Sequence, residues 1–185
     1  IKPGDEVITQ SFTFIATVEA ILETGAVPVI TEIDKSLNMD PLDLEKKITK
    51  KTKAIIPVHM AGVSAKMDEI IRIAEKHNVP VLEDSAQALG ATYKGRYLGT
   101  IGKAGIYSLD IGKIITTGEG GIVVTNEKDI YLKAREYSDH GHEQNPNVPR
   151  GEDTRTSWGF NYKATELHGA IGMAQLVKLD YILNR

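Results

Sequence analysis

The run from Ser108 to Gly121, Ser-Leu-Asp-Ile-Gly-Lys-Ile-Ile-Thr-Thr-Gly-Glu-Gly-Gly, sets one lysine, Lys113, among apolar residues and small hydroxyls, with Gly118, Gly120 and Gly121 close behind. A lysine amine attacks a carbonyl carbon once its pKa falls, through desolvation or a nearby cation. Glycines permit positive φ and a close approach of backbone to a ligand. The ordinary alternative is a surface turn with a solvated lysine, and composition alone favours it. A phosphate loop is excluded, because Tyr107 stands where the upstream glycine belongs and Ile114 follows the lysine. The glycines around Gly99 and Gly102 do not match the dinucleotide pattern either.

Three further clusters carry chemistry-bearing side chains. Glu83-Asp84-Ser85-Ala86-Gln87-Ala88 follows an apolar run, so Asp84 stands at a strand end, where it would serve as base, metal ligand or ion-pair partner. A helix N-cap at Asp84 or Ser85 would explain it equally well. Ser11 to Thr17 sets Phe12 and Phe14 beside hydroxyls at a strand-to-helix junction, where core packing is the plain alternative and is preferred for Phe12. Gly159-Phe160-Asn161-Tyr162-Lys163 precedes the last helix, with Asn161 by default a turn or cap residue. The five histidines show no zinc-type spacing and read as surface or satisfied structural residues, and no GxSxG or HExxH motif occurs.

These clusters need elements to position them. A strand at Val7–Thr9, a helix over 13–23 and a strand over 26–30 open the chain. Asp40 suits an N-cap and Pro41 the first turn of a helix running through Leu42, Leu44 and Ile48. A wholly apolar strand at 54–58, a helix at 67–77 and a strand at 79–83 follow. Residues 90–121 hold nine glycines and read as loops and short strands. A helix is expected over 128–137, a polar surface loop or flap over 141–157, and one long final helix over 164–183. Strands alternating with helices imply right-handed βαβ units around a mainly parallel sheet, with ligands at the carboxyl ends of the strands.

Composition narrows the class. The chain has 185 residues, 41% hydrophobic and 25% charged, with a formal net charge of −3. That is an ordinary globular balance, with no basic surface for nucleic acid or anionic membranes. No run approaches the roughly 20 apolar residues of a membrane span. Cys is absent, which excludes disulfides, thiolate metal sites and cysteine nucleophiles. With no signal core at Ile1–Glu6, a cytoplasmic protein is expected.

Taken together, Pro3-Gly4-Asp5-Glu6-Val7-Ile8, Ser11 to Thr17, Glu83-Asp84-Ser85-Ala86-Gln87 and Lys113 through Gly121 resemble the DegT/DnrJ/EryC1/StrS family, over essentially the whole chain and in order. The resemblance implies the large domain of pyridoxal phosphate (PLP) fold type I, a three-layer αβα arrangement. It implies an aminotransferase acting on a keto sugar, nucleotide-linked or a sugar acid, with glutamate or glutamine as donor. Lys113 matches the lysine that forms the Schiff base and later shuttles the proton, and Asp84 the carboxylate paired with the pyridine nitrogen. Gln87 matches a residue near the ring hydroxyl, Phe14 the aromatic stacked on the ring, and Ser108 a phosphate ligand. Asn161 matches a residue reaching the phosphate from the neighbouring subunit, which implies a homodimer with shared active sites. Arg150 and Arg155 of the polar flap are candidates for substrate recognition.

Some positions depart from the family pattern: Lys163 for arginine, Leu109 for phenylalanine and His168-Gly169 for Gln-Ala, the first two as pocket tuning and the third as packing. Family members also carry an N-terminal phosphate-binding segment and a small C-terminal domain, so residues 1–185 are expected to be the PLP-binding large domain of a longer chain. Dehydratases of the same family replace the Schiff-base lysine with histidine, so Lys113 argues against that activity. A non-catalytic PLP-binding scaffold or regulator is the remaining alternative.

Overall fold

The computed structural model describes all 185 residues apart from the side chain of Arg150. Three parallel strands open the molecule: β1 (Glu6–Gln10), β2 (Val27–Thr31) and β3 (Thr52–Ile56), in the order β2-β1-β3. A second set holds β4 (Leu82–Asp84), β7 (Ala104–Ser108) and β8 (Gly121–Val124), with β4 parallel to β7 and β8 antiparallel at the edge. Bridges Ile55–Val81 and Val58–Asp84 connect β3 to β4, so the two sets run on as one sheet. A short hairpin, β5 (Thr92–Tyr93) and β6 (Arg96–Tyr97), lies between them in sequence.

The period-2 alternation of strands decides how the layers form. Ile8 and Ile55 face one side, against Leu44 of α2 (Pro41–Lys47) and Met67, Ile70 and Ile73 of α3 (Met67–His77). Their neighbours Val7 and Ala54 face the other side, against Ile21 of α1 (Ile15–Glu23). Helices therefore cover both faces of this half of the sheet, and neighbouring apolar residues of β1 and β3 are buried on opposite sides of it. The expected αβα layering is present here.

Most expected boundaries hold within a residue or two. Asp40 caps α2 by accepting a bond from Leu42 N at 2.9 Å, with Pro41 in the first turn. Ile48, expected in that helix, already has extended backbone. The single helix expected over 164–183 is two, α5 (Glu166–Leu176) and α6 (Leu179–Leu183), with the break at Val177–Lys178. His168 does more than pack: with Thr165 it closes a capping box at the start of α5. Phe12 is 45% exposed, so its expected core role is wrong: it sits in the loop past β1, outside both apolar clusters.

Candidate active site

Asp84 ends β4, and its backbone is bonded on both sides, from its own N to Pro57 O (2.9 Å) and from His59 N to its O (3.0 Å). No helix follows it, so the N-cap alternative fails; its Oδ1 accepts from Ala86 N (3.1 Å) in a turn. The other oxygen, Oδ2, accepts from the hydroxyl of Thr17 on α1 (2.7 Å). The carboxylate is thereby held by two elements 67 residues apart in sequence.

Beneath it, Glu83 is fully buried and takes four bonds. Backbone N–H groups of Gly99 (2.8 Å), Ile101 (2.5 Å) and Gly102 (2.6 Å) donate to it, and so does His59 Nε2 (3.0 Å). His59 Nδ1 accepts from Ala65 N (3.2 Å), which makes Nε2 the ring nitrogen that donates to Glu83. Burial alone would raise the Glu83 carboxyl; the His59 bond and the amides of Gly102 and Gly99 outweigh it and hold the group below its ordinary value. His59 is thus a satisfied structural histidine, as the sequence implies.

Lys113 is held differently. It lies in the wide connection between β7 and β8, one residue past the exposed Gly112. Leu109 N donates to Gly120 O (2.8 Å) and Thr117 N to Leu109 O (3.0 Å), closing the base of the loop. Asp110 turns the chain, accepting Gly112 N on Oδ1 (3.0 Å) and Lys113 N on its carbonyl (3.0 Å). Gly118 (φ +88°) supplies the left-handed backbone that closes the turn. Among the described residues no hydrogen bond or ion pair engages the Lys113 ammonium. Two glycines outside the loop permit close approach of chain to chain: a Cβ would stand 2.1 Å from Gly99 O at Gly105 and 2.5 Å from Val81 O at Gly102.

One cleft of about 750 Å³ collects these groups. Lys113, Asp84, Gln87, Ser108 and Phe14 all line it, between apolar walls that include Ile56, Leu82, Ile106 and Val123. Phe14, 70% exposed, keeps a ring face free for a ligand. Gln87 Oε1 accepts from Ala61 N (2.9 Å), which leaves its amide N–H groups as the available donors. Asp110 and Glu119, within the Ser108–Gly121 run but given no role by the sequence, also line the cleft. Asn161 does not: it is exposed and pairs with Asp139 in a backbone bridge. Lys163 lies outside the cleft as well, paired to Asp139 at 2.6 Å. Arg155 bonds His142 Nε2 (2.8 Å), whereas the side chain of Arg150 lies outside the described residues.

The mainly parallel sheet with helices on both faces is that of PLP fold type I, and solved aminotransferases share it. The aminotransferase from Psychrobacter cryohalolentis superposes with a TM-score of 0.89 and is 41% identical, over 96% of this chain and 47% of that chain. Helicobacter pylori PseC, an aminotransferase involved in the biosynthesis of pseudoaminic acid, gives 0.91 at 35% identity, over 97% and 47%. GDP-perosamine synthase of Caulobacter vibrioides is 43% identical over 97% of this chain and 47% of its own length.

The model of the DegT/DnrJ/EryC1/StrS aminotransferase family matches residues 1–185, and the chain belongs to that family. It spans about half the length of the curated relatives it matches.

Proposed function

We propose that the protein is a PLP-dependent aminotransferase that moves an amino group from glutamate or glutamine to a keto sugar, nucleotide-linked or a sugar acid. Residues 1–185 are its cofactor-binding large domain. The observation that carries this reading is Lys113 and Asp84 lining one cleft with Gln87, Ser108 and Phe14 between them. Relatives named GDP-perosamine synthase and sugar aminotransferase support the substrate class.

PLP supplies, when bound, the electron sink that lets a proton leave the carbon bearing the amino group. The residues present fit it: the cleft is of ligand size, one amine is unengaged, and one carboxylate is fixed at a strand tip. Lys113 would hold the cofactor through its amine, condensing with the aldehyde with loss of water, and would serve as the base that carries a proton between carbons. Asp84 would keep a proton on the ring nitrogen. Phe14 would cover a ring face, Gln87 would donate toward the ring hydroxyl, and Ser108 would bind phosphate.

Asn161, outside this cleft, serves the neighbouring subunit of a homodimer. The exposed Leu167, Met173, Leu176 and Val177 along and just past α5 support such a contact. No helix of the described residues is long and apolar enough to cross a membrane. We place the enzyme in the cytoplasm, with neither nucleic acid nor membrane as a partner.

The test is spectral, with the full-length chain. Adding PLP should produce an absorbance band above that of the free protein, and an amino donor should bleach it. A band that no donor bleaches would mean a scaffold, and the absence of any band would defeat the proposal. The retained Lys113 weighs against a family dehydratase.

A further inference from the structure

Thr17 is the side chain near the site that the proposed roles leave unused. It is 6% exposed, on the first turn of α1, and its hydroxyl contacts two others: Asp84 Oδ2 at 2.7 Å and Thr13 Oγ1 at 2.8 Å. A buried threonine in a helix ordinarily returns its hydroxyl to a carbonyl one turn back. Here it reaches across to the strand tip instead.

Counting protons fixes the direction of the chain. A hydroxyl has one proton to give, and an ionised carboxylate has none. Thr17 therefore donates to Asp84 and accepts from Thr13, so two hydroxyls in series end on one carboxylate oxygen. Such chains polarise one another, and donation to the ionised form makes a carboxylate a weaker base. Neither donor is charged, so one oxygen of Asp84 is engaged without any charge being added to the cleft.

We propose that Thr17, backed by Thr13, is the positioning residue of Asp84: it fixes the plane of the carboxylate and keeps the shared proton on the ligand's ring nitrogen. This rests on the reading of Asp84 as the partner of that nitrogen. Oδ2 accepts from Thr17 and Oδ1 from Ala86 N, so both carboxylate oxygens are fixed and each keeps acceptor capacity for a ligand.

The experiment uses full-length holoenzyme carrying PLP labelled with ¹⁵N at the ring, whose nitrogen resonance reports protonation directly. Thr17→Val keeps the shape and removes the hydroxyl, whereas Thr17→Ser keeps the hydroxyl and removes the methyl. The valine variant should move the resonance toward the unprotonated value and lower kcat about tenfold, the effect of one charge-assisted hydrogen bond, with KM little changed. Serine should restore both.

A wild-type resonance and kcat in Thr17→Val would overturn the proposal, as would serine doing more damage than valine, which is the ranking of a packing role. If Thr17→Val does not fold, Thr13→Val should show a smaller shift in the same direction, and no shift there is equally fatal. A wild-type protein whose bound ring is unprotonated, or which binds no PLP, removes the reading of Asp84 itself along with this inference.

Discussion

The tip of β4 and the loop carrying Lys113 face the same cleft, yet they are built by opposite means. At the tip, Glu83 has four partners, His59 has two, and Asp84 is bonded through backbone and both carboxylate oxygens. The lysine loop is fastened at its base, at the Asp110 turn and through the Thr116 and Thr117 hydroxyls, with Ile115 buried, while the stretch just before Lys113 is open, Ile111 being 77% exposed and Gly112 facing solvent. On the proposed roles, the group that would hold one charge in one place sits in the rigid frame, and the group that would move between carbons sits beside the open stretch of a loop. Preorganisation belongs to the electrostatic partner, and reach belongs to the nucleophile.

Breaking the two halves should therefore give different losses. Lys113→Ala should lower turnover about a thousandfold or more and remove covalent attachment of PLP, while the thermal melt stays that of the parent. A shifted melt would mean that the lysine is part of the frame. Glu83→Ala should do the reverse, costing about 3–5 kcal/mol of stability in a denaturant titration, because three amides and His59 lose their acceptor. A parent-like titration would contradict the rigid-frame account.

The acid limb sharpens the same contrast. The folded-state pKa of Glu83 lies below its reference value of 4.5, so its contribution is complete above 4.5 and lost as pH falls through the lower folded value. Tm measured against pH should therefore drop below pH 4.5, and Glu83→Gln should flatten that part of the curve. An unchanged acid limb in Glu83→Gln would mean that the group contributes nothing there.

Asp84→Asn should lower kcat more than it weakens PLP binding, since it alters the ring's protonation more than its anchoring; the opposite ranking in paired kinetic and binding titrations would make Asp84 an anchor only. The smallest effect is expected at the periphery, where Thr165→Ala should cost about 1 kcal/mol through loss of the α5 cap. A larger cost there would mean that α5 is coupled to the cleft.

The sequence reveals the frame better than the fastenings. Short apolar runs locate β1 and β3, and Asp40-Pro41 marks the start of α2, because these signals are local. Lys113, Asp84, Gln87, Ser108 and Phe14 were legible as site residues only through their joint resemblance to a family pattern, and each has an ordinary alternative when read singly. The pairs Thr17–Asp84 and His59–Glu83 span 67 and 24 residues, and no local pattern announces either. The four-residue spacing of Thr13 and Thr17 was the one visible hint. The break at Val177–Lys178 escaped because both flanks keep helical apolar spacing, and no Gly or Pro marks it.

Reduction by borohydride of the full-length protein loaded with PLP, followed by peptide mapping, tests the pairing of amine and carboxylate most directly. The account predicts that the cofactor's mass is fixed on the peptide containing Lys113, and that Lys113→Ala leaves no labelled peptide. Labelling at another lysine, or equal labelling in the variant, would contradict it.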